Sequence, residues 1–440
     1  MPLPSLLLGA LLALDPLPAP PVERPNILLL LADDQGWNGT SVPMDPAWEL
    51  SGAADMHTPA LERLAQEGRR YTRAYASAPV CSPSRAALQT GITPGTLGWT
   101  TSERGRGRAR PSLAGELLSL GEVLQQSGYA TAHFGKWHIE GGGPGAHGYE
   151  VHDGNLGNEE AARHPAPNPC DIFGMAERAS QFMRDSVEQE RPFFAQLSWL
   201  ALHAPDNARP ETLESVRERW SGNARRLSRV ALAEDLDAGV GRLLDVLDEL
   251  GVAEDTLVIY TSDNGGAVPG ERALRGGKST LWEGGLRVPF LVRGPGVRPG
   301  STDATPIALH DLYPTFAALA GASESVPATV QGGSLVADFA GSAERIQRGR
   351  EGLYFHASSD GGGGPSAALI DERWKLVLFE DAQACALHDL LTDPGESRDL
   401  AGEEVERSAQ LRARLEAYLA QNGSVAGSAE GSPRRRRRER

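Results

Sequence analysis

The chain has 440 residues, 40% of them apolar and 23% charged, enough for one large α/β unit with an appendage or for two or three domains. Gly and Pro together make just under a fifth of it, too little for a disordered low-complexity chain. The net charge is −15 although the last eight residues hold six Arg and one Glu, so the body lacks the basic footprint that phosphate binding needs and a nucleic-acid partner is excluded. No apolar run reaches the ~20 residues that span a bilayer. Residues 1–22 read as a leader: Leu6 to Leu14 is apolar and a Pro/Ala-rich stretch follows, as in a secretory signal without a basic start. That expectation places the protein in the periplasm or outside the cell. Three cysteines, Cys81, Cys170 and Cys385, exclude a disulfide scaffold and a multi-Cys zinc site; the last two either pair in an oxidising compartment or stay as lone thiols.

Ile27 to Ala32 is a continuous apolar run, which predicts a strand buried on both faces, and it ends in Asp33-Asp34. Thr58-Pro59 supplies an N-cap and a first-turn proline for a helix to about Arg70. Ser119 and Gly128 bracket another helix, and Tyr129 to Trp137 reads as a strand. Arg178 to Glu190 is helical, Phe193 to Leu202 a buried strand, and Ser228 to Leu250 a long amphipathic helix with Gly251 just past its end. Thr256 to Thr261 is a strand ending at Asp263-Asn264, and Val288 to Val292 is another. Strands alternating with helices predict an α/β fold, a large mostly parallel sheet flanked by helices, over residues 23–345. Short runs at 353–356, 367–370, 374–379 and 384–387, then a helix at 405–419, predict a smaller C-terminal antiparallel sheet plus helix over residues 346–420. Residues 421–440 read as a disordered basic tail.

In an open α/β sheet, ligands bind beyond the carboxyl ends of the strands. Two such ends carry Asp33, Asp34, Asp263 and Asn264, an oxygen-rich set suited to a hard divalent cation, Ca²⁺ or Mg²⁺. Only three of 43 basic residues are Lys: Lys136, Lys278 and Lys375. A position that keeps Lys in so Arg-rich a chain marks a need for a compact ammonium, except that Lys375, inside an apparent strand, reads as chance. Lys136 and His138 sit two apart on an expected strand end, hence on one face. Cys81-Ser-Pro-Ser-Arg85-Ala-Ala-Leu-Gln-Thr-Gly91 reads as a loop entering a short helix. Cys81 then stands near a helix N-terminus, where thiol pKa is lowered and anions are favoured, or else is a buried structural cysteine.

The whole eleven-residue segment resembles the signature of the type I sulfatases, the formylglycine-dependent, arylsulfatase-like members of the alkaline phosphatase superfamily. The likeness also covers Arg24-Pro-Asn-Ile-Leu with Asp33-Asp34, Gly135-Lys-Trp-His138, His203-Ala-Pro205, Ser262-Asp-Asn-Gly-Gly266, Gly277-Lys-Ser-Thr-Leu-Trp-Glu-Gly-Gly285, and Leu387-His-Asp-Leu with Asp393-Pro-Gly-Glu396. It implies that Cys81 is converted to Cα-formylglycine (3-oxoalanine) by a formylglycine-generating enzyme. It also implies that a hydrated aldehyde at position 81 attacks the sulfur of a sulfate ester, with internal elimination returning the aldehyde and sulfate. By the same resemblance Asp33, Asp34, Cys81, Asp263 and Asn264 hold the Ca²⁺ (or Mg²⁺). Lys136 and Lys278 bind sulfate oxygens, His203 is the acid to the leaving oxygen, His138 orients the nucleophile and Arg85 holds residue 81. His310 matches a family stretch near the site, or is helix-start packing; His147-Gly148-Tyr149-Glu150 matches a structural turn. The implied substrate is a sulfated small molecule or glycan. A phosphonate monoester or phosphodiester hydrolase on the same scaffold is the runner-up, since the same cations fit a phosphoryl group. A sulfatase-like protein that only binds a sulfated glycan is the third reading.

Overall fold

The computed structural model describes residues 23–100, 112–113, 117–220, 223–267, 273–357, 365–379 and 384–422. The expected leader and the arginine run lie outside the described residues. Among the described residues, fourteen strands and ten α-helices follow one another. They begin with β1 (Asn26–Ala32), α1 (Pro59–Glu67), β2 (Arg69–Tyr71), β3 (Ala74–Tyr75), α2 (Cys81–Thr90), α3 (Leu120–Gln126) and β4 (Ala130–Gly135). Next come β5 (Val151–His152), α4 (Ile172–Glu188), β6 (Phe193–Ser198), α5 (Pro210–Arg219), α6 (Ala224–Glu249) and β7 (Thr256–Ser262). Then follow α7 (Glu283–Leu286), β8 (Phe290–Arg293), β9 (Ser301–Asp303), β10 (Ile307–Ala308), α8 (Leu312–Leu319) and α9 (Val336–Phe339). The chain closes with β11 (Leu353–His356), β12 (Pro365–Asp371), β13 (Trp374–Phe379), β14 (Cys385–Asp389) and α10 (Val405–Gln421).

The main sheet has eight strands in the order β5-β4-β6-β1-β7-β8-β2-β9. β4, β6, β1 and β7 run parallel, whereas β8 is antiparallel to both β7 and β2. The apolar run of β1 explains its central place. Leu28, Leu30 and Ala32 pack into the core on one face, Ile27, Leu29 and Leu31 into the core on the other, so neither face has room for a polar side chain. The second sheet is a purely antiparallel meander, β11-β12-β13-β14. One of its faces packs on Tyr75, Leu281 and Leu286, and the other on α10 through Leu411, Leu415 and Tyr418. The expected architecture, a mostly parallel sheet with a smaller C-terminal antiparallel one, is what forms.

Several expected boundaries are wrong for identifiable reasons. The first helix stops at Glu67, and Arg69–Tyr71 instead pairs with β8 and β9. Thr58 makes no cap bond there; Asp237 on α6 accepts from the N–H groups of Ala60 (3.0 Å) and Leu61 (2.9 Å) in its place. Helix α4 begins six residues earlier than expected and α6 four. The strand expected to Leu202 ends at Ser198, where the chain turns toward β1. By contrast Ser119 and Glu122 form the full capping box of α3, and Gly251 takes φ 69° after α6. Cys81, Cys170 and Cys385 are all free thiols, so the pairing of the last two does not occur. Among the described residues no helix is long and apolar enough to cross a membrane.

Candidate active site

The four parallel strands β4, β6, β1 and β7 end level with one another, and β1, β7 and β4 each pass a polar residue to the same edge. Beyond β1, Asp33 and Asp34 are fixed by the backbone: Asp33 N donates to Ala201 O (2.9 Å) and Leu202 N to Asp33 O (2.7 Å). Beyond β7, Asp263 N donates to Ala32 O (3.1 Å). Beyond β4, Lys136 N donates to Ser198 O (2.7 Å). Helix α2 brings Cys81 to this edge as its first residue, with every side chain of the helix buried and Gly91 closing it at φ 67°.

Charges then interlock. Lys136 Nζ lies 2.5 Å from Asp33 Oδ2, Lys278 Nζ 2.5 Å from Asp34 Oδ1, and Arg85 Nε 2.7 Å from Asp263 Oδ2. Arg85 Nη1 also donates to Lys136 O at 2.5 Å, and Asn264 Nδ2 to Asp34 Oδ1 at 2.7 Å. Three carboxylates thus face three cations, nearly all fully buried; only Lys278 keeps a fifth of its side chain exposed. Burial works against the Arg85 and Lys136 cations, yet the surrounding carboxylates and the sulfur of Cys81 raise both pKa values. The Cys81 thiol is itself raised, by burial first, with Lys136 opposing and Asp33 and Asp263 assisting. The expected helix-terminus depression is overridden by desolvation.

Within this cluster the buried Asp33 Oδ1, Asn264 Oδ1 and Arg85 Nη2 have no hydrogen-bond partner. Ligand atoms of Asp33, Cys81 and Asp263 all lie within 4.8 Å of one another. Oxygen donors left open around so small a space fit a hard divalent cation, which Asp33, Asp34, Asp263 and Asn264 would hold.

Eight of the ten expected site residues therefore meet in one cluster: Asp33, Asp34, Cys81, Arg85, Lys136, Asp263, Asn264 and Lys278. The two histidines stand on adjoining turns. His203 is half-buried just after the Ala201–Leu202 turn that bonds Asp33, and its Nδ1 pairs with Ala204 O at 3.0 Å. His138 is not on a strand with Lys136, because β4 ends at Gly135 and His138 takes φ 57°. Lys136 is buried in the cluster, while His138 borders a neighbouring cavity of about 360 Å³ with Glu140, Asn155, Asn158 and Glu159. His310 lies beneath the site, its Nδ1 3.0 Å from Ser77 Oγ, and burial lowers its pKa to about 4. His147 stacks on Trp137 as part of a turn.

Two buried cations carry no local signal in the sequence. Arg229 on α6 donates to Asp34 O (2.7 Å) and to Leu202 O, clamping the turns that carry Asp34 and His203 together. As one of forty arginines it gave no signal. Lys375, read as chance, is fully buried between Glu283 and Glu396.

Fold and site together define an α/β enzyme with a cation-and-carboxylate centre at the sheet's carboxyl edge. The sulfatase family model matches residues 25–322, and a second, described as the C-terminal region of N-sulphoglucosamine sulphohydrolase, matches residues 275–423. The chain belongs to the sulfatase family, and its reaction class is sulfuric ester hydrolysis. It is 31% identical to steryl-sulfatase of Mus musculus over 77% of this chain and 68% of that one. It is likewise 31% identical to arylsulfatase A of Homo sapiens over 86% of this chain and 83% of that one. The solved structure of Ps i-CgsB in complex with k-i-k-neocarrahexaose superposes with a TM-score of 0.77 at 25% identity, covering 93% of this chain and 96% of that chain.

Proposed function

We propose that this sulfatase hydrolyses a sulfate monoester of a carbohydrate, using residue 81 as its nucleophile after a formylglycine-generating enzyme has converted the cysteine to Cα-formylglycine. The observation that carries the reading is the convergence of Cys81 with Asp33 and Asp263 inside 4.8 Å, ringed by Arg85, Lys136 and Lys278. Asp33, Asp34, Asp263 and Asn264 hold a Ca²⁺, with Mg²⁺ as the smaller alternative. When bound, the cation supplies Lewis-acid polarisation of the oxygens it coordinates.

The chain's own groups do the rest. The three carboxylates balance the three cations, so adding a dication leaves the pocket net positive, which suits an anionic ester. Lys136 and Lys278 face the sulfuryl oxygens as compact ammonium donors, and their charge counters the charge that builds there as the S–O bond breaks. Arg85, with one donor still open, orients residue 81. His203, bonded through Nδ1, presents Nε2 at the rim to protonate the leaving oxygen. Across the cycle one water is consumed: the alcohol leaves with a proton and sulfate keeps the water's oxygen.

The cavity beside His138 supports a carbohydrate. Its lining of His138, Glu140, Asn155, Asn158 and Glu159 offers acceptors and amide donors for hydroxyl groups, with little apolar surface for a steroid. Folded-state location follows the sequence expectation of a periplasmic or secreted protein.

The test uses protein co-expressed with a formylglycine-generating system. Sulfate release is measured on a set of defined sulfated saccharides, and kcat/KM is compared for 4-nitrophenyl sulfate and 4-nitrophenyl phosphate. The reading expects turnover of at least one saccharide and a preference for the sulfate ester. A preference for the phosphate ester contradicts it and favours the phosphoesterase alternative.

A further inference from the structure

A second cluster of buried charge lies outside the site, in the seam between the two sheets. Lys375, Glu283 and Glu396 are all fully buried. Lys375, on β13, places its Nζ 2.9 Å from Glu283 Oε1 and 2.8 Å from Glu396 Oε1. Glu283 opens α7. Glu396 closes the Asp393-Pro-Gly-Glu396 turn after β14, at φ 54°. Glu396 Oε2 accepts from Glu283 N at 2.7 Å, and its carbonyl accepts from Arg275 Nη1 at 3.1 Å. The other oxygen of Glu283 faces Tyr75 Oη (3.1 Å) and the Arg287 guanidinium (3.6 Å). The C-terminal sheet and its turn therefore fasten residues 275 and 283 directly.

Between those two points lies Lys278. The segment is folded too tightly to absorb a shift. Gly284 N donates to Arg275 O at 2.8 Å, and a Cβ on Gly285 would stand 2.1 Å from Thr280 O. It is also bonded to both halves of the site. Gly265 N donates to Gly285 O (3.0 Å), Lys278 N to Gly266 O (3.0 Å) and Ser279 N to Pro79 O (2.8 Å). One side of this loop thus follows Asp263-Asn264, another precedes Cys81, and the third is held by Lys375. An apolar seam of the same volume would hold the sheets together as well as buried ions do. What the ions add is a fixed position for one particular backbone.

We infer that the Lys375–Glu283–Glu396 cluster is a positioning device through which the C-terminal sheet sets the reach of Lys278 into the sulfate pocket. Lys375 acts through Lys278 and touches no substrate. The inference rests on the reading of Lys278 as a sulfate ligand.

A double-mutant cycle on the mature protein tests it, with 4-nitrophenyl sulfate as substrate and inorganic sulfate as competitive inhibitor. Lys375→Met is made in the wild-type chain and in Lys278→Ala. With Lys278 present, it lowers kcat/KM about 10- to 100-fold, chiefly through KM, and weakens inhibition by sulfate in parallel. In the Lys278→Ala background it changes kcat/KM by no more than about twofold. Equal losses in both backgrounds, or a loss in kcat alone that tracks the folded fraction, overturn the inference. Glu396→Gln, which keeps the side chain's shape, is carried through the same cycle and decides the matter if Lys375→Met does not fold. A wild-type protein that releases no sulfate refutes the proposed function instead; an active wild type with an additive cycle refutes only the positioning role.

Discussion

The carboxyl edge of the main sheet and the seam beneath the C-terminal sheet bury charge in different ways. At the edge, Asp33, Asp34 and Asp263 face Arg85, Lys136 and Lys278, yet Asp33 Oδ1, Asn264 Oδ1 and Arg85 Nη2 are left without partners. In the seam, three of the four carboxylate oxygens of Glu283 and Glu396 accept a hydrogen bond, from Lys375, Tyr75 or the Glu283 backbone, and the fourth, Glu396 Oε1, is held by the Lys375 ammonium 2.8 Å away as an ion pair. A buried polar atom with nothing to bind costs about 1–3 kcal/mol. At the edge the three open atoms border one small pocket that a bound ion would complete, whereas the seam's carboxylates are ion-paired with the protein's own cations.

The largest effect falls on the edge. Replacing the nucleophile, Cys81→Ala, is expected to lower kcat for an aryl sulfate about 10⁴-fold or more while leaving the thermal midpoint near that of the parent, read by steady-state kinetics and calorimetry. Next is the cation set. Asp263→Asn is expected to cost about 10³-fold in kcat/KM and to lose Ca²⁺ by elemental analysis. Chelation is expected to lower both activity and midpoint of the wild type, with Ca²⁺ restoring them, and to move neither in Asp263→Asn. A wild type indifferent to chelation breaks the comparison.

The seam answers differently. Lys375→Met leaves two carboxylates facing each other and is expected to lower the unfolding free energy by about 3–5 kcal/mol in denaturant titrations, while the Ca²⁺ response persists.

The smallest effect is spread over acid pH. Burial lowers the His133 pKa to about 3 and the His310 pKa to about 4, so both are neutral in the fold. The unfolded chain takes up protons first, below about 6.5. The stability these residues allow is complete above that pH and is lost as pH falls toward 4, by about 1.4 kcal/mol per pH unit for each histidine. Midpoints measured from pH 7 down to 4.5 are expected to fall, and to fall less steeply in His310→Gln.

What could be read in advance divides along the same line. Local pattern located β1, because a run of six apolar residues fits only a strand covered on both faces, and it located the cap of α3, where both members of the box lie three residues apart. It placed the cluster residues as well, since strand ends and a dense motif carry them. Contacts made across sequence were invisible. Asp237 caps α1 from more than 170 residues away, whereas Thr58, the local candidate, makes no side-chain cap bond. Arg229 clamps Asp34 from α6 and looked like any surface arginine. Lys375 is the instructive case: its rarity is visible in the sequence but its place in a strand reads as chance, because the two glutamates that need it come from α7 and from a turn after β14. The expectation that Lys136 and His138 share one strand face fails for a local reason, as β4 ends before Lys136 and the period of two ends with it.

The central claim is that residue 81 no longer carries a thiol when the enzyme works. The tryptic peptide from Ala74 to Arg85 of active protein is predicted to weigh about 18 Da less than its encoded sequence, the difference between a thiol and an aldehyde side chain, with the modified fraction proportional to the sulfate-releasing activity across preparations. Full activity in protein whose peptide retains the encoded cysteine mass would contradict the account.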